Sequence, residues 1–249
     1  MPRHNLAFLR GIVADDPVVM KNGDEYIYAT LHVNVARSTR EVGDNRNYMK
    51  CDNPVIITKE KKMVEIIAGW NKFDVIDIKG TISTTTVKKA SYCEHCGQRN
   101  VFFGALLYIN PIYAERVGHV ENEEQSLKYL SEHREISNQA FVFGTLCRDP
   151  GKVKTKYSFR ITQYQIAMGR KYRIRTDPPE IRTDWPWVKS YGKNAEEDLK
   201  RLSVGAEVFI DGCLQVRGIQ RKVYCGQVMD GNGHPAYDED MNPIFNIDK

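Results

Sequence analysis

No stretch of the 249-residue chain approaches the roughly 18 consecutive apolar residues that a membrane-crossing helix requires. The opening "MPRHNLAFLRGIVADD" carries an apolar run too short for a secretory signal, so a cytoplasmic protein with no membrane association is expected. Cysteine is scarce: six residues, at 51, 93, 96, 147, 213 and 225, are too few and too irregular for a disulfide scaffold, and reduced thiols are expected. There is no glycine-rich phosphate loop with its lysine, no His-Glu-x-x-His and no nucleophile constellation. The expectation is therefore a protein that is not an enzyme and requires no cofactor. Tryptophan is rarest of all, and two of the three stand together in "TDWPWVKSYGK", Thr183 to Lys193.

What is present is a repeat. "NLAFLRGIVADDP", Asn5 to Pro17, returns as "NQAFVFGTLCRDP", Asn138 to Pro150, at an offset of 133, and "IDIKG" at 76–80 returns as "VFIDG" at 208–212. Charge follows the same partition. Residues 138–227 carry 17 Lys and Arg against 9 Asp and Glu, whereas 228–249 carry 1 against 5, a separation that suits a polyanion partner and an acidic tail that does not bind it. The expected organisation is a first domain at 1–119, an acidic connector at 120–137, a second domain at 138–227 and the tail at 228–249.

Each copy reads as mainly β. From Tyr26 to Ala36 apolar residues alternate with Tyr26, Tyr28 and polar residues, the period of a half-buried strand. In the second copy the apolar parity shifts between Ile161 and Tyr164, which predicts a bulge near Thr162 or Gln163. "NAEEDLKRL", 194–202, predicts a short helix capped by Asn194 and stopped by Gly205. The first copy has the same helix-Gly-strand order, and the connector predicts a solvated helix.

Strand parity places Trp185, Trp187, Lys189 and Tyr191 on one face; a lysine among the aromatics marks that face as open. Core or subunit-interface packing is the alternative. Pro186 removes a ladder donor, so the strand starts or bulges there. Arg170, Lys171, Arg173, Arg175 and Arg182 surround Tyr172 in a proline-rich loop, the pattern of a phosphate clamp or of a solvated charge run. The first copy carries a thinner set, Tyr28, Arg37, Tyr48 and Lys50, with Tyr48 taken as the counterpart of Trp185. Cys93 and Cys96 in "YCEHCGQ" are half of a possible tetrahedral zinc site, a bare turn or a redox pair. Asp238 and Asp240 read as turn formers.

Thr183–Arg217 resembles the central segment of bacterial single-stranded-DNA-binding proteins: acid-Trp, a strand ending in aromatic-Gly-Lys, a helix, then a strand toward Gly-x-Leu-Gln-x-Arg. "GTLCRDP" resembles that family's first strand and loop. The resemblance implies two tandem OB-folds, five-stranded Greek-key barrels each with a short helix. It implies non-catalytic, sequence-independent binding of single-stranded DNA in replication, recombination or repair, with Trp185, Tyr191 and Lys193 at matching positions. It also implies a homodimer presenting four OB-folds and an acidic tail that recruits other proteins, although "DEDMNPIF" departs from the family's terminal motif. The alternative is an OB-fold interaction or primosome-assembly module whose nucleic-acid binding is secondary.

Overall fold

The computed structural model describes residues 4–40, 47–94, 96–153, 160–170, 183–217 and 223–245. In chain order the elements are β1 (Asn5–Val13), β2 (Val18–Asn22), β3 (Glu25–Arg40), β4 (Asn47–Asp52), β5 (Val55–Thr58), α1 (Lys61–Ala68), β6 (Asp74–Tyr92), β7 (Arg99–His119), α2 (Glu123–Glu132), α3 (Arg134–Ser137), β8 (Asn138–Leu146), β9 (Gly151–Lys152), β10 (Ile161–Gly169), β11 (Thr183–Asp184), β12 (Trp187–Tyr191), α4 (Gly192–Arg201) and β13 (Glu207–Gly212). The chain divides into two compact units: residues 1–83 with 107–216, and residues 84–106 with 217–249.

The first unit holds both copies of the repeat. In the first copy β1 pairs antiparallel with β3 and β6, β3 pairs with β5, and β5 pairs parallel with β7. That is a Greek-key barrel closed on itself, with α1 between its third and fourth principal strands. In the second, β8 pairs with β10 and β13, and β10 with β12, so four of the five barrel strands fall among the described residues.

The positions that repeat in sequence perform the same structural tasks. Asn5 Nδ2 donates to the Ile82 carbonyl at 2.9 Å and its Oδ1 accepts from Ile82 N at 2.8 Å. Asn138 does the same with Leu214, at 2.9 Å both ways. Each amide satisfies two backbone groups of a residue 77 or 76 positions away, and each lost bond would strand a buried polar atom at ~1–3 kcal/mol. Gly11 and Gly144 are glycines because a Cβ would lie 2.6 Å from the Asn34 carbonyl and 2.8 Å from that of Ala167, respectively. The ion pairs Arg37–Asp52 and Arg170–Asp184, with Nε–Oδ2 distances of 2.5 Å, are equivalent too.

The two copies meet through β1 and β8, which run antiparallel with Ala7 opposite Ala140, its own counterpart in the repeat. Asn5 lies opposite Val142 and Leu9 opposite Asn138, so a local two-fold axis passes through the alanine pair.

Three expectations change. The connector is not simply solvated: α2, capped by Asn122 accepting from Gln125 N, buries Leu130 against Ile12, Ala36 and Val75, and the Ser137 hydroxyl bridges Ala36 N and the Arg10 carbonyl. No bulge interrupts Thr162–Gln163; β10 and β12 pair residue for residue from Ile161–Tyr191 to Gln165–Trp187. Ile161 therefore sits on the outer side and Thr162 is buried, its Oγ1 donating to the Ala195 carbonyl. α4 starts at Gly192, whose φ is +60°, with Tyr191 in the cap position and no side-chain cap bond, rather than at a cap on Asn194.

The second unit combines the outer ends of β6 and β7 with a three-pass meander closed by the bridges Gln227–Phe245, Met229–Pro235 and Tyr237–Pro243. Its two turns are copies of each other. Asp230 accepts from Asn232 N and His234 N, and Asp238 from Asp240 N and Asn242 N, ahead of Gly233 and Met241 at positive φ. Residues placed in an acidic tail thus form an ordered meander, and Asp238 is the turn former its context predicts.

Candidate nucleic-acid interface

β12 lies against β10, whose inward residues Thr162, Tyr164, Ile166 and Met168 are buried in the second barrel. The Tyr164 phenol is raised well above its ordinary range by that burial and by Asp198. Opposite parity puts Gln163, Gln165, Trp187, Lys189 and Tyr191 on the outer side. Pro186 does break the strand: β11 ends at Asp184, β12 starts at Trp187, and the Pro186 carbonyl accepts from Ile166 N at 3.2 Å. Trp185 sits in this break, its carbonyl accepting from Gln165 Nε2 at 3.1 Å and the residue 51% exposed.

Trp187 is 46% exposed, with the Arg148 guanidinium 5.8 Å from its ring centre. A cation beside an open indole supplies both of the attractions that single-stranded nucleic acid uses, stacking and charge. Tyr191 is half-buried and donates its hydroxyl to Gln215 Oε1 at 2.6 Å, which fixes the ring. Lys189 is half-buried, and Lys193 is exposed in the first turn of α4.

Arg170 leaves the predicted clamp. It is 8% exposed and grips Asp184 through Nε and Nη2, at 2.5 and 2.8 Å, because it continues the inward parity of β10. Such a buried, bidentate pair organises the barrel and offers nothing to a phosphate. Lys171, Tyr172, Arg173, Arg175 and Arg182 lie outside the described residues.

The first copy corrects the predicted correspondence. With Asp52 equivalent to Asp184, the sequence Asp52-Asn53-Pro54-Val55 overlays Asp184-Trp185-Pro186-Trp187. The Pro54 carbonyl accepts from Val33 N at 3.1 Å as Pro186 does from Ile166 N, and Val55 pairs with His32 as Trp187 does with Gln165. The counterpart of Trp185 is therefore Asn53, not Tyr48, and the first barrel has a valine in place of Trp187. Tyr48, half-buried, and Lys50, exposed, stand instead on β4, paired with Thr39 and Arg37 of β3. Arg37 is drawn onto Asp52 in the ion pair, and Tyr28 is half-buried opposite Met20.

Cys93 and Cys96 close the β6–β7 hairpin, as predicted for a hairpin tip. Gly97 N donates to the Cys93 carbonyl at 2.9 Å and Cys93 N to that of Gln98 at 2.8 Å. No residue stands at motif spacing to complete the pair in the sequence, Cys51, His95 and His119 included; the structure brings in Cys225, with all three Sγ atoms within 4.8 Å of one another. The signal was available, since Cys96-Gly97-Gln98 recurs as Cys225-Gly226-Gln227. The Cys225 thiol is pushed up to about 12, chiefly by its hydrogen bond to Cys96. Arg148 was the other omission, although it lies in the repeated Asp-Pro segment just before β9.

Residues 137–228 match the profile of the single-strand binding protein family. No curated protein sequence matches the chain. Among solved structures, the wild-type single-stranded DNA binding protein from Thermus aquaticus aligns over 91% of this chain and 98% of its own, with 16% identity and a TM-score of 0.52. A deletion variant of the same protein aligns over 86% and 88%, at 19% identity and the same TM-score. No helix among the described residues is long and apolar enough to cross a membrane. Residues 137–228 thus resemble the single-strand binding protein family, and across most of its length the chain shares the fold of these Thermus aquaticus structures.

Proposed function

We propose that the chain is a non-catalytic, sequence-independent binder of single-stranded DNA serving replication, recombination or repair. The observation that carries this reading is the outer side of β10 and β12, where exposed Trp187, with the Arg148 guanidinium beside its ring, lies in line with Lys189 and Tyr191, and exposed Trp185 stands two residues before Trp187. Trp185 and Trp187 stack bases, Tyr191 extends the platform, and Lys189, Lys193 and the basic residues at 171–182 follow the phosphates. Tyr48 and Lys50 form a lesser contact in the first barrel, residues 1–119. The second barrel, 138–227, is the principal reader, 120–137 joins them, and 228–249 stays off the strand.

We further propose a homodimer that presents four barrels. On the β6-β1-β8-β13 sheet, Phe143 lies opposite Phe209, which is 59% exposed, and Phe8 meets Phe141 edge to face at 6.1 Å. An apolar face of this kind suits a second copy.

Titration of the protein with oligo-dT, followed by tryptophan emission, tests the binding reading. Strong quenching with an affinity that falls steeply as salt rises is expected, since phosphates shed counterions on binding. Unchanged emission at saturating DNA would overturn the platform. Light scattering at the mass of one chain would remove the dimer.

A further inference from the structure

We infer that Cys93, Cys96 and Cys225 are three ligands of one zinc ion that fastens the C-terminal meander to the β6–β7 hairpin. The sulfurs come from segments about 130 residues apart, yet all three lie within 4.8 Å of one another. A tetrahedral Zn–S distance of ~2.3 Å separates neighbouring sulfurs by ~3.8 Å, so a contraction of about 1 Å or less closes the site. Both contributing segments have the local form that presents a thiolate. Gly97 and Gly226, each directly after a cysteine, take φ +70° and +76°, turning the chain back so that backbone does not obstruct the sulfur.

The need for a fastener is visible in the packing. Among the described residues of 84–106 and 217–249, no large apolar side chain is fully buried; the buried side chains are Asn100 and Gln227. Tyr92, Tyr224, Tyr237, Met241, Ile244 and Phe245 are all exposed. A unit this small without an apolar core requires a cross-link, and thiolates at metal-ligand spacing favour zinc over the harder divalent ions. The fourth position belongs to a group outside this triad.

The full-length protein, purified under reductant without chelator, should hold about one zinc per chain. Cys225→Ser and Cys93→Ser should lose it, Cys225→His should keep it because imidazole also ligates zinc, and Cys147→Ser, at an exposed site elsewhere, should match wild type. Cobalt substitution should give a near-ultraviolet sulfur-to-cobalt band that diminishes in Cys225→Ser. Chelation should expose residues 223–245 to protease while oligo-dT binding persists, which separates this inference from the DNA-binding reading. The inference fails if the reduced wild-type protein, all thiols titratable, takes up less than roughly a tenth of an equivalent of zinc or cobalt. It fails equally if Cys225→Ser retains the metal, or if Cys225 is found in a disulfide with Cys93 or Cys96.

Discussion

Replacing Trp185 with alanine should weaken binding to oligo-dT far more than replacing Asn53, which occupies the equivalent position in the first barrel. A base stacked on an aromatic ring contributes about 1–3 kcal/mol, so Trp185→Ala should raise Kd by roughly 5- to 150-fold at 25 °C. Trp187→Ala should fall in the same range. Because the two indoles are separated by one residue, their effects share neighbouring bases and the double variant should lose less than the sum. Asn53 presents no ring. Its Nδ2 donates to Asn34 Oδ1 at 2.8 Å, and its truncation should shift Kd by less than about twofold.

Anisotropy of a labelled oligo-dT reports Kd directly, and tryptophan emission supplies an independent check. Trp70 is buried in the first barrel, so it gives an unquenched background against which loss of Trp185 and Trp187 emission can be measured. Equal effects of Trp185→Ala and Asn53→Ala, or a Trp185→Ala variant within twofold of wild type, would refute the asymmetric platform. The converse substitution, Val55→Trp, adds an indole at the position of Trp187 and should strengthen binding.

Arg170→Ala should cost the fold about 3–5 kcal/mol in denaturant unfolding, because it strands the Asp184 carboxylate in the core. The salt dependence of DNA binding by the folded fraction should stay unchanged. Lys193→Ala should do the opposite, leaving stability intact and flattening the slope of log K against log salt by about 0.7, the value for one phosphate on a single strand. Asn138→Ala leaves the Leu214 amide and carbonyl unsatisfied, and a loss of about 2–4 kcal/mol in unfolding free energy is expected. Asp238 is held below the ordinary carboxylate range, first by the Asn242 backbone N–H. A depressed folded value means its contribution is present above the unfolded value of about 3.9 and is lost as pH falls through the lower folded one. The protection of Asn242 N from hydrogen exchange, relative to its intrinsic rate at each pH, should therefore hold constant from neutral pH to about 5 and fall only below about 4.

The fold was legible because the residues that repeat are the ones that backbone geometry dictates. Asn5 and Asn138 clamp equivalent strands, Gly11 and Gly144 admit equivalent carbonyls, and the two Arg–Asp pairs lie in equivalent barrels. The outer side of β10 and β12 was half legible, because strand parity aligns Trp187, Lys189 and Tyr191 without revealing which inward position a basic residue occupies. Arg170 reads as part of a charge run and becomes a core residue once β10 is traced through it. The bulge near Thr162 failed for a related reason. A buried threonine whose hydroxyl reaches the Ala195 carbonyl breaks the apolar pattern without breaking the pleat. Cys225 was invisible to spacing rules, since its partners are brought near only by the folded chain.

The axis through Ala7 and Ala140 gives this divergence a physical reading. Two barrels joined across a two-fold by one covalent chain need not stay identical, because each face can change without its change being duplicated in the other. The residues at the axis and in the clamps are tied to backbone positions in both halves, and a change there is paid in stability. The residues on the outer sides, Asn53 and Val55 in one half and Trp185 and Trp187 in the other, carry no such obligation. A chain built this way can keep one barrel as a tryptophan platform and release the first for other work. That first barrel is also the one whose β6 and β7 run on to the hairpin bearing Cys93 and Cys96. On this argument Asn53→Ala and Val55→Ala should leave both DNA affinity and metal content near wild type, whereas Ala7→Asp, at the shared axis, should unfold both halves together in a single calorimetric transition shifted to lower temperature.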